Sequence, residues 1–208
     1  EELIADAASR LKSGRNCLLL IGGAEVTAEQ GLLLSRLSKV SGAMALTEVL
    51  PGKLAKGAGT AAIERLAYLA ELAIDSLKDV EEVILLGAPD PVSFFAYPGV
   101  PSAIAPDNAV RTVVAAPDED VTDALAQLLA TFDAAEVEPD VHPLSLPDLP
   151  EGELDAAKVG MAIAHSMPEN TVVVDEAITS GMLVTMFTAT ARPHEQLNQT
   201  GGSIGWGL

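Results

Sequence analysis

Cysteine, histidine and positive charge are scarce in this chain, and each scarcity removes a class of function. A single cysteine, Cys17, cannot close an internal disulfide. The three histidines, His142, His165 and His194, have no zinc-site spacing and no second cysteine beside them, so surface or capping roles are expected and no metal site is assigned. Lysine and arginine number 12 against 30 aspartate and glutamate residues, for a formal charge of -18. The basic residues form no cluster. Such a surface repels a phosphate backbone and anionic lipid, so nucleic acid and membrane surfaces are not expected partners, and the acidic residues read as a solvated exterior. The sequence shows no signal-peptide pattern, no membrane-length apolar run and no internal repeat, and the expectation is a cytoplasmic protein.

What is present is a core. In 208 residues, 49% are hydrophobic, enough for one large domain or one and a half ordinary ones. Leu3, Ile4, Ala7, Ala8 and Leu11 share a helical face, and Gly14 ends that helix. The apolar run from Cys17 to Ile21, closed by Gly22-Gly23, reads as a strand buried on both faces. Thr27 and Gln30 make a capping box for a helix that buries Leu33, Leu34, Leu37 and Val40 and stops at Gly42. Met44 to Val49 is the next strand, and this order implies a parallel sheet with right-handed crossovers.

Lys53 to Thr60 reads as a loop carrying Gly57 and Gly59, Glu71 to Leu77 as a helix, and Val83 to Leu86, ended by Gly87, as a third strand. Five prolines between Pro89 and Pro106 exclude one long helix and leave an irregular excursion at the carboxyl edge of the sheet. Arg111 to Ala115 is a further strand; Val121, Leu125, Leu128, Leu129 and Phe132 mark the helix after it. From Asp133 to Gly152 the composition turns acidic and proline-rich, an extended linker. A helix follows with Leu154, Ala157, Met161 and Ala164 on one face.

Thr171 to Val174 then reads as a buried parallel strand that meets Asp175 and Glu176 and turns, through Thr179 and Ser180, into a helix N-terminus. Such a turn is an anion site in waiting, because unpaired N–H groups and the helix dipole face it. The run from Gly201 to Leu208 is a second place where backbone can approach a ligand. The chain starts in helical period and stops where a helix should follow Gly205, so a piece of a longer polypeptide is expected. The piece beyond Leu154 has one clear strand and an apolar helix around Met182, Leu183, Val184 and Met186. It is expected to dock on the first unit or on another copy.

Other features read as structural. Gly22-Gly23-Ala24-Glu25 lacks the spacing of a dinucleotide fingerprint and reads as a strand-to-helix turn; Gly57-Ala58-Gly59 with Ala62 reads as loop punctuation. Asp175 and Glu176 invite an acid/base role but read better as strand-end carboxylates bonding the turn. Cys17 is an inert core residue; Met161, Met182 and Met186 pack a core or interface; Trp206 packs either a core or a cofactor edge.

The pattern V-V-V-D-E-A-I-T-S-G, then R-P-H-E-Q-L, then G-G-S-I-G-W-G-L, resembles the start of the diphosphate-binding domain of thiamine-diphosphate-dependent enzymes, in the acetolactate synthase and benzoylformate decarboxylase branch. Residues 1–132 resemble the Rossmann-like middle domain of that branch, 133–152 its linker and 153–208 the opening of the diphosphate-binding domain. The resemblance implies that Gly202 offers a carbonyl and Ile204 an N–H to the aminopyrimidine. It also implies that Ile204 props the cofactor in its bent form, with Ser203 between them and Thr179 and Ser180 near the diphosphate. The family's activating glutamate and its G-D-G…N motif for magnesium and diphosphate are absent from these residues.

The resemblance thus implies an intact parent that uses thiamine diphosphate and magnesium on a 2-oxo acid, as a transferase or lyase. In these 208 residues no catalytic residue is assigned, and an inactive piece with little cofactor affinity is expected. The remaining domains of the parent and further copies, as a dimer or tetramer, are the implied partners. The stretch G-A-P-D-P-V-S-F-F-A-Y-P-G resembles an acetolactate-synthase-like subgroup and differs from the Arg-containing loop of flavin-binding members, which counts against flavin. Two other readings stay open at this point, a non-catalytic module holding flavin or ADP and a scaffold for oligomerisation.

Overall fold

The structure is a computed structural model that describes residues 2–96, 98–134, 136–177, 179–199 and 203–205. Its centre is β1 (Cys17–Ile21), five consecutive apolar residues that are all buried. Alternate side chains of a strand face opposite ways, so a fully apolar run needs a cover on each side. Cys17, Leu19 and Ile21 enter a core shared with α1 (Glu2–Leu11), α2 (Ala28–Ser41) and α4 (Val121–Ala130). Leu18 and Leu20 enter a second core on the other face, with Leu46, Leu66, Leu77, Val83 and Ile104. Leu77 there comes from α3 (Ala70–Leu77).

Parallel partners flank β1. On one side lies β3 (Met44–Thr47), with Leu18 opposite Met44 and Leu20 opposite Leu46, and beyond it β5 (Glu64–Arg65). On the other lies β6 (Glu82–Leu86), with Cys17 opposite Glu82 and Ile21 opposite Leu86, and beyond it β7 (Val110–Ala115). The spatial order β5-β3-β1-β6-β7 is that of a doubly wound Rossmann-like sheet, as expected from the β-α-β reading.

Local signals set the element ends. Thr27 accepts from the Gln30 amide at 3.1 Å while the Gln30 side chain accepts from the Thr27 amide at 3.0 Å, and Gly42, at φ 73°, closes α2 by donating to the Ser38 carbonyl. Leu3 departs from the expected buried face of α1, being 58% exposed. The five-proline stretch after β6 forms no helix or strand among its described residues, apart from one bridge between Val92 and Ala103.

A second sheet departs from the sequence reading. It has the order β2-β4-β9-β8, where β2 is Glu25–Val26, β4 Lys53–Lys56, β8 Thr171–Val174 and β9 His194–Leu197. Residues 53–56 are therefore a strand and not loop, and His194, expected in a surface or capping role, lies buried in a strand. β4 and β9 run antiparallel, from Lys53 opposite Leu197 to Lys56 opposite His194, and β8 runs parallel to β9. The C-terminal piece thus docks on the first unit by extending its hydrogen-bond ladder. β8 is parallel, as expected, but it is a half-exposed edge and not buried: Val172 and Val174 are 52% and 48% exposed.

The proline-rich segment is tied along its middle. The Asp140 amide donates to Ser35 Oγ and the Asp140 carboxylate meets Lys39; His142 exchanges backbone hydrogen bonds with Gly59 and Thr60; the Ser145 amide donates to the Thr190 carbonyl and Thr190 Oγ1 donates to the Ser145 carbonyl. Beyond it, α5 (Ala156–Ser166) packs on α6 (Gly181–Thr188) at Gly160, where a Cβ would stand 2.9 Å from the Phe187 ring. A small core of Ala164, Met167 and Ala191 results, with Phe187 against it. Leu154 lies outside it, 75% exposed, and Met182 and Met186 face solvent on α6.

Candidate functional site

The turn from β8 to α6 carries two of the sequence-assigned residues. Thr179 and Ser180 are both exposed, and Ser180 heads α6 without a side-chain cap bond. Asp175 folds back onto the same turn. Its Oδ1 accepts from the Ala177 amide at 2.9 Å, its Oδ2 accepts from Gln196 Nε2 at 3.2 Å, and a Cβ on Gly181 would stand 2.6 Å from Oδ1. Glycine at 181 therefore admits a carboxylate to the start of α6, where the helix dipole favours negative charge. Asp175 bonds its own turn, as its place at the strand end suggested.

Ser203 and Ile204 are exposed, Ile204 by 64%. Gly202 and Trp206 lie outside the described residues. Among the described residues no hydrogen bond joins Ser203 or Ile204 to Thr179 or Ser180. His194 is buried in β9, where Nδ1–H donates to the Arg192 carbonyl at 2.9 Å and Nε2 has no partner among the described residues. Burial pushes its pKa down, favouring the neutral ring. His165 Nδ1 meets the Pro147 carbonyl at 2.9 Å. No group of three or more His, Cys, Asp or Glu side chains among the described residues is placed to hold a metal ion.

In a doubly wound sheet the usual ligand crevice lies at the carboxyl ends of the strands where the order reverses, here β1 and β6. It is closed by the chain itself. Gly23, at φ 94°, brings its Cα so near Gly87 that a Cβ would stand 2.7 Å from the Gly87 carbonyl oxygen. The Glu48 carboxylate, just past β3, accepts from the Gly23 amide and fills the space a Cβ on Gly22 would take. Burial pushes the Glu48 pKa up, with the Gly23 hydrogen bond opposing. A nucleotide phosphate here would meet a carboxylate in place of free N–H groups.

A larger space lies elsewhere, between β3, β4, β5, β9 and α6. It is a cavity of about 220 Å³ lined by Thr47, Leu54, Lys56, Ile63, Arg65 and His142, among others. Lys56 Nζ donates to the Thr185 carbonyl at 3.2 Å, and burial, helped by Arg65, lowers its pKa to about 8. Desolvation by the surrounding atoms lowers the pKa of Arg65 as well, although the residue as a whole is exposed, and burial lowers that of His142. Sequence reading missed these residues because it took 53–60 as loop. The four residues Lys53, Leu54, Ala55 and Lys56 show no period-2 alternation that could have marked them as a strand.

No family model matches the chain. Over 206 residues, 99% of its length, the chain is 41% identical to a Mycobacterium tuberculosis protein provisionally named acetolactate synthase large subunit IlvX, and spans 39% of that protein. Among solved structures it resembles a provisionally named thiamin diphosphate-dependent enzyme of Mycobacterium smegmatis, at 21% identity and a TM-score of 0.65, covering 99% of this chain and 43% of that one. It also resembles benzoylformate decarboxylase of Polynucleobacter necessarius, at 15% identity and a TM-score of 0.66, covering 99% of this chain and 41% of the other. The structural likenesses show the shared fold. The resemblance to the acetolactate synthase and benzoylformate decarboxylase branch, first read from motifs near the end of the chain, thus extends over nearly all of it.

Proposed function

We propose that the chain is the middle domain and the opening of the diphosphate-binding domain of a thiamine-diphosphate-dependent enzyme acting on 2-oxo acids, in acetolactate-synthase-like carboligation or in decarboxylation. The observation that carries this reading is the 41% identity over 99% of the chain to a protein named for acetolactate synthesis. On this reading 1–132 is the middle domain, 133–152 the linker and 153–208 the cofactor-domain opening. The remaining domains, with magnesium, and further copies complete the enzyme.

The described residues fit part of such a site. Thr179 and Ser180 offer exposed hydroxyls at the start of α6, beside a helix dipole that favours a diphosphate. Ile204 offers an exposed apolar side chain that a cofactor ring would cover, with Ser203 and Gly202 next to it in sequence. Asp175, at the same turn, repels a diphosphate unless a divalent cation lies between them. When bound, the cofactor supplies an electron sink for the carbanion left by decarboxylation. This chain's residues would hold and orient it.

A nucleotide-binding module is the second reading, and the Glu48 carboxylate in the crevice between β1 and β6 counts against it. Calorimetric titration of thiamine diphosphate with magnesium into the 208-residue chain, and into a full-length polypeptide that carries it, tests the proposal. Saturable binding by the full-length protein, with weak or no binding by the chain alone, is expected. No binding by either defeats the cofactor reading, and tight flavin or ADP binding by the chain reverses the ranking.

A further inference from the structure

Half of the twelve lysine and arginine side chains in this acidic chain find a carboxylate among the described residues. Arg10, Arg15, Lys39, Lys53, Lys78 and Arg111 all stand in ion pairs. Lys12, Lys158 and Arg192 bond backbone carbonyls instead, and Arg36, Lys56 and Arg65 also stand outside any ion pair among the described residues, although acidic side chains outnumber basic ones 30 to 12. Lys56 and Arg65 both line a cavity between the two sheets. Lys56 spends one hydrogen bond on the Thr185 carbonyl, which leaves two of its three ammonium donors. Arg65 makes no side-chain hydrogen bond to a described residue, and it is exposed, so it stands at the mouth of the cavity while Lys56 stands further in.

The cavity holds a second, independent sign of a missing ligand. Thr47 is 3% exposed, lines this space, and its Oγ1 has no hydrogen-bond partner among the described residues. A buried hydroxyl left unpaired is destabilising, and fixed cations without a counter-charge at ion-pair distance add to that cost. The nearest acidic influence, Asp175, acts on both cations beyond ion-pair distance, and its oxygens are already held by Ala177 and Gln196. Leu54 and Ile63 supply apolar walls that strengthen any charge interaction inside.

We infer that this cavity is a binding site for a small oxyanion, a carboxylate or a phosphate. Arg65 offers its planar fork at the entrance, Lys56 a point charge inside, and Thr47 a hydroxyl donor. The site is separate from the turn at Thr179 and Ser180 and does not depend on the thiamine-diphosphate reading. Among the described residues, the charged and titratable groups facing Lys56 are Arg65 on β5, His142 on the proline-rich segment, Asp175 beyond β8 and His194 on β9. Lysine must be protonated to attract an anion, so affinity falls as pH rises through about 8.

The test is calorimetric titration of the 208-residue chain with inorganic phosphate and, separately, with acetate. One saturable site is expected, weakened at least tenfold in Lys56→Met and in Arg65→Leu and several-fold in Thr47→Val. Arg65 is exposed and makes no side-chain hydrogen bond to a described residue, so its variant keeps the fold and the experiment decisive. Saturation by phosphate alone or by acetate alone identifies the anion. Absence of a saturable site with either probe, or binding that is unchanged in both cation variants, overturns the proposal.

Discussion

Lys56 sits where a lysine is least comfortable, half-buried with no carboxylate at ion-pair distance among the described residues. Its folded pKa of about 8 lies below the ordinary 10.5. Between those values the unfolded chain binds the extra proton, so this residue makes stability rise with pH across that window. Urea unfolding at pH 7.5 and pH 10 should show the rise in the natural chain and lose this component of it in Lys56→Met. That variant should also be more stable at pH 7, by about 1 kcal/mol, because it removes an uncompensated charge and keeps the apolar stem. Loss of anion binding in a variant that gains stability could not be blamed on unfolding.

Glu48 has the opposite sign. Its folded pKa is raised above 4.5 by burial, so its contribution is fully present below 4.5 and is lost as pH rises through the raised value. Glu48→Gln keeps an amide oxygen for the Gly23 N–H and removes that slope. Its stability at pH 7 is expected to equal the natural chain's or exceed it by up to about 1 kcal/mol. A comparison of denaturant midpoints at pH 4 and pH 7 checks this.

Among the elements, the seam between β4 and β9 holds the C-terminal piece, and Gly57 is its narrowest point. Gly57 has φ 95°, and a Cβ there would stand 2.5 Å from the Arg192 carbonyl oxygen; Gly59 has φ 80° with nothing within 4 Å. Both pay the left-handed penalty on substitution, but only Gly57→Ala also wedges the seam apart. Gly59→Ala should cost about 1 kcal/mol and Gly57→Ala about 2–4 kcal/mol. Only the latter should speed amide exchange selectively beyond residue 153.

The same seam marks how far the sequence could be read. β1, β6 and α2 were legible because a doubly covered strand must be apolar throughout and a capping box lies within four residues. β4 and β9 were not, because their pairing rests on partners about 140 residues away, and short strands rich in charge carry little signal of their own. β8 looked buried because its four residues match a central strand, yet the described chain places only one neighbour beside it. At the candidate cofactor site the sequence supplied the residues through a resemblance. It placed Asp175 at the turn but could not reveal the paired cations of the cavity, which are a property of packing.

Over the whole molecule, 30 acidic residues face 12 basic ones. Self-repulsion of this size opposes compaction and is screened by salt, so the thermal midpoint should rise between 10 and 200 mM sodium chloride. Chloride entering the cavity would add to the rise. The same measurement on Lys56→Met separates the two contributions, because general screening survives the substitution.

The second sheet also sets an order of events. The first sheet closes through pairings of neighbouring segments, whereas β4 must wait for a strand from the far end of the chain. Until then β4 is an open edge guarded by Lys53 and Lys56, charges that discourage pairing with a wrong chain. Pulse-labelled hydrogen exchange during refolding should therefore protect Leu19 and Ile84 well before Ala55 and Gln196. The lysines that make the finished cavity attractive to anions would, in the interval before β9 arrives, serve as gatekeepers against aggregation.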